Sequence, residues 1–215
     1  MMRISCCVWL IGSLALGLSP AWAESPATTQ TSHDLSPQEQ LLAWQDEFDQ
    51  GPADQVMHDY AVHTDAQRSM ADTLAKCGVS GNRLIKLARK KFGPVAEVAV
   101  AHICSTDCRA DDKNATVKTI DDSHAVIAFS SDAITDLLMV REDGQWKIDT
   151  AGYEKQYGTG LAIGLKQMRL SIPIMDKAAE DLNNGKYASA QALLDDLAVQ
   201  FNALQAEMDK LSRQQ

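Results

Sequence analysis

The sequence has few basic residues, few aromatic residues and no long apolar stretch beyond its first twenty positions. Lysine and arginine number 20 against 29 aspartate and glutamate residues, which gives a formal net charge of −9. An acidic surface of this kind argues against a nucleic-acid partner. Because a membrane-spanning helix needs about 20 consecutive apolar residues, no membrane span is predicted after the start of the chain.

Catalytic signatures are also missing. The chain has no G-x-S-x-G nucleophile motif, no H-E-x-x-H zinc motif and no glycine-rich phosphate-binding loop. Each of these motifs places a nucleophile, a metal ligand or a phosphate-binding backbone at a fixed spacing. Their absence favours a non-catalytic protein, and no cofactor is predicted.

Cysteine is scarce, with five residues in the chain, of which Cys77, Cys104 and Cys108 lie beyond residue 23. An odd number in an exported protein predicts either one disulfide with a free thiol or no disulfide. Cys104 and Cys108 are the candidate pair because they are near in sequence. Zinc fits their C-x3-C spacing poorly, and the acids around Asp107 lack the alternating register of a calcium loop, so no metal site is predicted.

The first 23 residues have the organisation of a secretory signal peptide. Arg3 is followed by an apolar run from Val8 to Leu18 and by Ala21-Trp22-Ala23, a small-residue cleavage site. The apolar run is too short to span a bilayer comfortably, so a retained anchor fits less well than cleavage after Ala23. The protein is therefore predicted to be exported, either periplasmic or secreted. Residues 24–35 are polar and aperiodic, which predicts a flexible leader.

Four short helices are predicted next. Ser36, Pro37 and Glu39 form a capping box that opens the first helix, which Gly51-Pro52 ends. The other three are predicted at residues 52–62, with His58 and Asp59 exposed to solvent, at 64–77 before Gly78, and at 81–92 after Ser80. The last carries basic residues that form either an anion-binding face or a solvated face: Arg83, Lys86, Arg89, Lys90 and Lys91.

A strand and then a meander are predicted between residues 95 and 150. Residues 95–103 alternate and are rich in valine, which predicts a strand that points Val98, Val100 and His102 inward. The meander follows over residues 116–150, and its last two strands meet at the turn Glu142-Asp143-Gly144-Gln145. Trp146 and Ile148 are predicted to share one face of the final strand.

Two heptad-patterned segments end the chain. Apolar residues recur at steps of four and three from Leu161 to Leu182 and again from Ala190 to Leu211, with Asn183-Asn184-Gly185-Lys186 between them. This pattern predicts an antiparallel αα-hairpin over residues 160–212. Pro173 should kink or split its first helix. The methionine-rich stripe is either the seam of the hairpin or a binding groove, and the seam could also join two copies of the chain in a homodimer.

The order of helices, strand and meander, ending in Val-Arg-Glu-Asp-Gly-Gln-Trp-Lys-Ile, resembles the nuclear transport factor 2-like (SnoaL-like) superfamily over residues 36–152. The resemblance implies an α+β fold, in which short helices pack on a curved antiparallel sheet to form a cone with a pocket. Some members are isomerases, dehydratases or cyclases that use Tyr, Asp or His inside the cone, and many exported members are binding domains. None of the four tyrosines lies in a predicted strand, which counts against a Tyr–Asp arrangement: Tyr60, Tyr153, Tyr157 and Tyr187.

Two functions follow from these patterns. The first is an exported, non-catalytic module that binds a small apolar ligand or a protein partner. The alternative is a general acid/base enzyme that uses His102 with Asp107. The residues expected to line the pocket are Trp44, Phe48, Val98, Val100, His102, Phe129, Met139 and Trp146.

Overall fold

A computed structural model of the chain describes residues 35–50, 52–104, 116–128 and 136–213. The helices in these ranges are α1 (Pro37–Gln50), α2 (Asp65–Phe92), α3 (Pro94–Ile103), α4 (Thr150–Tyr157), α5 (Thr159–Asn183) and α6 (Ala190–Ser212). The strands are β1 (Tyr60–Ala61), β2 (Thr116–Thr119), β3 (His124–Ala128), β4 (Leu137–Glu142) and β5 (Gln145–Asp149). The predicted α+β class is confirmed. The predicted signal peptide and residues 24–34 of the predicted leader lie outside the described residues.

The predicted start of α1 is confirmed in detail. The backbone N–H of Glu39 donates to Oγ of Ser36 at 3.3 Å, and the backbone N–H of Ser36 donates to Oε2 of Glu39 at 2.8 Å. This reciprocal pair satisfies two N–H groups that the first helical turn leaves unpaired. The helix then buries Leu41 and Trp44, whose spacing predicted its inner face.

The segment after α1 is not the helix that its sequence predicted. A single 3-10 turn spans Gln55–Asp59, and the chain then extends as β1. His58 is exposed as predicted, but Asp59 is 4% exposed, so the prediction that it faces solvent was wrong. Tyr60 lies on a strand after all, and its side chain is buried.

Helix α2 is one continuous helix of 28 residues where two were predicted. Its predicted N-cap is confirmed, since Oγ1 of Thr64 accepts from the backbone N–H of Gln67 at 3.1 Å. The break predicted at Gly78 and Ser80 was wrong, because both residues are buried within the helix. Packing against neighbouring helices outweighs their weak helix propensity. Gly93, with φ of 88°, ends the helix.

Residues 95–103 form α3 instead of the predicted strand. Pro94 stands at the first helical position, which its fixed φ favours. The helix buries Ala96, Glu97, Val100 and Ala101 and leaves Val98 48% exposed. The inward face predicted for Val98 and His102 was therefore wrong, while Val100 is buried as predicted.

The sheet has the strand order β1-β5-β4-β3-β2. Strands β2 to β5 form the predicted antiparallel meander, with Met139 paired to both Ala125 and Ile148. The turn before β5 has positive φ at Asp143 (52°) and Gly144 (80°), as a two-residue hairpin requires. Strand β1 runs parallel to β5, so the sheet is mixed, and the prediction of a wholly antiparallel sheet was wrong.

Helices α5 and α6 occupy most of the predicted C-terminal helical region and contact each other. Helix α5 continues through Pro173 without a break, so the alternative of a split helix was wrong. It also packs along α2: Arg169 donates to Oγ1 of Thr73 at 3.0 Å and to Oγ of Ser69 at 2.8 Å. In the described ranges, no helix is both long and apolar enough to cross a membrane.

Candidate functional site

The residues predicted to line a pocket divide into three groups. Trp44, Val100, Met139 and Trp146 are all buried in one apolar core. Val98 and His102 are exposed on the outer side of α3. Asp107, Phe129 and the side chain of Phe48 lie outside what the structure describes. The structure therefore brings the predicted apolar residues together but leaves His102 out of the core.

A different residue, Tyr60, places a polar group inside that core. It lies on the edge strand β1, opposite Ile148 of β5, and is 3% exposed. Its hydroxyl is buried and has no hydrogen-bond partner among the described residues. Leaving a buried hydroxyl unpaired costs about 1–3 kcal/mol, so natural cores rarely keep one without a water or a ligand as its partner.

Helices α2 and α4 bring further polar groups near Tyr60, namely the thiol of Cys77 and the phenol of Tyr153. Burial raises the pKa of its phenol well above the usual range, and Asp59, Tyr153 and Cys77 lie near enough to raise this pKa further. Tyr153 comes from α4, which begins where Oδ1 of Asp149 accepts from the backbone N–H of Gly152 at 2.8 Å. Tyr60 therefore remains a neutral hydrogen-bond donor at physiological pH.

Tyr153 differs from Tyr60 because its own hydroxyl is paired. It donates to the backbone oxygen of Asp136 at 3.1 Å and accepts from the backbone N–H of Leu138 at 3.4 Å. Burial raises its pKa above the usual range as well. These bonds hold Tyr153 against β4, whereas the hydroxyl of Tyr60 has no hydrogen-bond partner among the described residues.

Two thiols near the site, those of Cys77 and Cys104, are buried. Cys77 on α2 places its Sγ 3.8 Å from Oγ of Ser171 on α5. Cys104, which follows α3, forms no disulfide with a described residue, and the pKa of its thiol is raised to about 12, chiefly by burial and also by the nearby Cys77. Since the thiolate is the nucleophile, neither position suits covalent catalysis. Cys108 lies outside the described residues, and its pairing with Cys104 stays a prediction.

No group of three or more His, Cys, Asp or Glu residues that could hold a metal ion occurs within the described ranges. The arrangement around Tyr60 can instead offer one neutral donor to an uncharged acceptor, such as a carbonyl or ether oxygen, within apolar surroundings. The carboxylate of Asp59 disfavours an anionic ligand at the same place.

Sequence reasoning missed Tyr60 because β1 has only two residues and shows no periodicity. A signal was present nearby, in the N-cap of α2. That N-cap at Thr64 marks the start of α2, however, and gives no signal for β1.

The chain was compared with the models of known protein families, with curated proteins and with solved structures, and none of the three comparisons finds a match.

Proposed function

We propose that this protein is an exported, non-catalytic module that binds a small apolar ligand carrying one hydrogen-bond acceptor. The buried hydroxyl of Tyr60, which has no partner in the described part of the chain, carries this proposal. A ligand oxygen beside it would supply the missing bond, and the surrounding apolar side chains would supply the contact area. The predicted signal peptide, which ends at Ala23, supports export.

We also propose that residues 36–152 follow the nuclear transport factor 2-like pattern. Helices that precede a meander, and the Glu-Asp-Gly-Gln-Trp-Lys-Ile hairpin, support this proposal. The helix at Pro94–Ile103 departs from the strand expected there. In this proposal α5 and α6 form an antiparallel hairpin outside the family pattern.

The general acid/base alternative loses its support at His102. A general base must reach the proton that it abstracts inside a site that excludes bulk water. His102 is exposed on α3. Ligand binding at Tyr60 therefore remains the proposed function.

Replacement of Tyr60 by phenylalanine tests the proposal, because Tyr60→Phe removes only the hydroxyl. We expect Nile red, an uncharged dye with a carbonyl acceptor, to bind the unaltered protein and to bind Tyr60→Phe about 2- to 10-fold more weakly. That range corresponds to the loss of one neutral hydrogen bond of about 0.5–1.5 kcal/mol. Fluorescence titration measures the two dissociation constants.

The matched control is Tyr157→Phe. The hydroxyl of Tyr157 accepts from Nε2 of Gln156 at 3.2 Å in an exposed position, so its loss should leave dye binding unchanged. Without ligand, Tyr60→Phe should be as stable as the unaltered protein or up to about 1 kcal/mol more stable, because it removes an unpaired buried hydroxyl. Failure of the dye to bind, or equal binding by both variants, would contradict the proposal.

A further inference from the structure

The hydroxyl of Tyr60 is closed off from solvent. Tyr60 is 3% exposed, and its hydroxyl oxygen is among the buried polar atoms of the described residues. A ligand can reach such a group only when a neighbouring element moves, because a protein interior is packed too densely for a molecule to pass between fixed side chains. The element that moves should lie beside Tyr60 and should be attached more weakly than its neighbours.

Helix α4 lies beside Tyr60. It follows β5, the strand that pairs with β1, and Oγ1 of its first residue, Thr150, donates to the backbone oxygen of Ala61, the residue after Tyr60. Tyr153, in the first turn of the helix, lies near enough to raise the pKa of Tyr60. The opposite side of α4 is in solvent, since Lys155 is exposed. Helix α4 is therefore part of the wall between Tyr60 and the solvent.

The attachment of α4 is mainly polar. Of its eight residues only Thr150 is buried, whereas α2 buries 14 of its 28 residues. Oε2 of Glu154 accepts from Nε2 of Gln67 on α2 at 3.0 Å, and the hydroxyl of Tyr153 bonds to two backbone groups at the start of β4. Each of these bonds contributes little net free energy, because bonds with water replace it on opening. Segments that bury few apolar residues are the ones that open most readily.

Gly158 supplies a hinge between α4 and α5. It is the single residue between the two helices, and its φ of 50° and ψ of −128° form a conformation that glycine adopts readily. Hinges are commonly a few residues at the ends of elements, where changes in φ and ψ are absorbed. Rotation at Gly158 would move α4 while α5 stays packed along α2.

We propose that α4 is the gate of the ligand site: it swings away from β1 to admit a ligand to the hydroxyl of Tyr60 and then closes again. This inference rests on the proposed binding at Tyr60 and concerns how the ligand enters. Opening breaks the bond between Gln67 and Glu154, and closure restores it around the bound ligand. Because the free and the bound protein share this bond, its loss should change the rates of binding and release but not the affinity.

Stopped-flow fluorescence of Nile red with the full chain measures these rates. We expect Glu154→Ala, which removes the acceptor of Gln67, to raise the association and dissociation rate constants by the same factor and to leave the dissociation constant unchanged. The expected factor is about 2- to 10-fold, which corresponds to one net hydrogen bond. Glu154→Gln keeps an acceptor oxygen and should restore the original rates. Lys155→Ala, at the adjoining exposed position, is the matched control and should change neither rate.

Native-state hydrogen exchange tests the gate without a ligand. The backbone N–H of Gly158 donates to the backbone oxygen of Glu154 at 3.0 Å, so its exchange reports the opening of α4. The amides of α4 should exchange faster than those of α2 and α5, and urea should affect their exchange little, because a local opening exposes little surface. Glu154→Ala should speed exchange in α4 by the same factor of about 2 to 10 and leave exchange in α2 unchanged.

Two results would overturn the gate and leave ligand binding at Tyr60 intact. In the first, Nile red binds and Tyr60→Phe weakens it as proposed, but Glu154→Ala leaves both rate constants unchanged. In the second, the amides of α4 exchange only together with those of α2 and α5, through global unfolding. Failure of Nile red to bind the unaltered protein would instead contradict the proposed function, and the gate would fail with it.

Discussion

Tyr60, which is buried, and Tyr153, which is half-buried, have the same side chain in different polar situations. The hydroxyl of Tyr153 makes two hydrogen bonds to the backbone. Tyr60 has none among the described residues. Replacing water by protein partners makes burial of a phenol nearly neutral, whereas burying it unpaired is costly. The cost at Tyr60 is what a ligand with an acceptor could recover.

Both tyrosines should make the protein sensitive to alkali. Burial raises the pKa of each phenol above the value of about 10 that it has in the unfolded chain. Below pH 10 both states keep their protons, so this contribution to stability is fully present there. Above pH 10 the unfolded chain releases protons that the folded chain retains, so the free energy of unfolding should fall as the pH rises.

The measurement is urea unfolding at several pH values between 8 and 11.5. We expect Tyr60→Phe to reduce the slope of the unfolding free energy above pH 10 by about 1.4 kcal/mol per pH unit, the contribution of one titrating group. Absorbance at 295 nm should show the tyrosinate of Tyr60 only as the protein unfolds. An identical slope in the variant would mean that Tyr60 titrates in the folded protein.

At the scale of the element, the sequence predicted those features that depend on near neighbours. The capping boxes at Ser36 and Thr64 and the turn at Asp143-Gly144 each need only a few adjacent residues, and each is present. Helices α5 and α6 were also predictable, because their apolar period extends over many turns. The two residues of β1, including Tyr60, are too few to show a comparable period.

The errors came from segments whose structure depends on distant packing. Gly78 and Ser80 resemble the end and the start of two helices, but they are buried within α2, where the neighbouring helices hold the chain helical. The valines of residues 95–103 suit a strand on propensity, yet Pro94 starts a helix whose small residues pack against α2. Propensity is a weak guide once tertiary contacts differ between the alternatives.

The effect of Pro173 on helix α5 can be tested directly. It lies inside α5 at an exposed position, where it removes one backbone hydrogen bond. Proline in a helix interior costs about 3 kcal/mol relative to alanine, and bending of the helix recovers part of that cost. We therefore expect Pro173→Ala to raise the free energy of unfolding by about 1–3 kcal/mol, as measured by urea denaturation.

The control for Pro173→Ala is Lys166→Ala, another exposed position of the same helix, which should change stability by less than about 0.5 kcal/mol. A loss of stability in Pro173→Ala would mean that α5 packs along α2 better with proline at this position. In that case the contacts of Arg169 with Ser69 and Thr73, which lie one turn before Pro173, would be the first to weaken.

At the scale of the whole molecule, the sheet and the C-terminal helices share one core. The buried cluster that contains Met139 and Ile148 of the sheet also contains Met175, Leu182 and Leu193 of α5 and α6. The contacts of α5 with α2 place these helices against the centre of the molecule. Heptad spacing in the sequence could not reveal this, because the apolar face of a hairpin can pack on a second helix, on a second copy or on a domain.

A shared core predicts that the described molecule unfolds in one step. Tryptophan fluorescence in the described ranges comes from Trp44 on α1 and Trp146 on β5, whereas far-ultraviolet circular dichroism is dominated by the helices. The two signals should therefore change at the same urea concentration. Met175→Ala, at a residue that is 1% exposed on α5, should lower stability by about 2–5 kcal/mol and should shift both signals together.

Val199→Ala, at an exposed position of α6, is the control and should leave both midpoints nearly unchanged. If α5 and α6 instead formed a separate unit, Met175→Ala would shift the helical signal to lower urea and leave the tryptophan signal in place. Coincident shifts would mean that a ligand at Tyr60 stabilises the C-terminal helices as well, since binding to the folded state alone stabilises every part that unfolds with it.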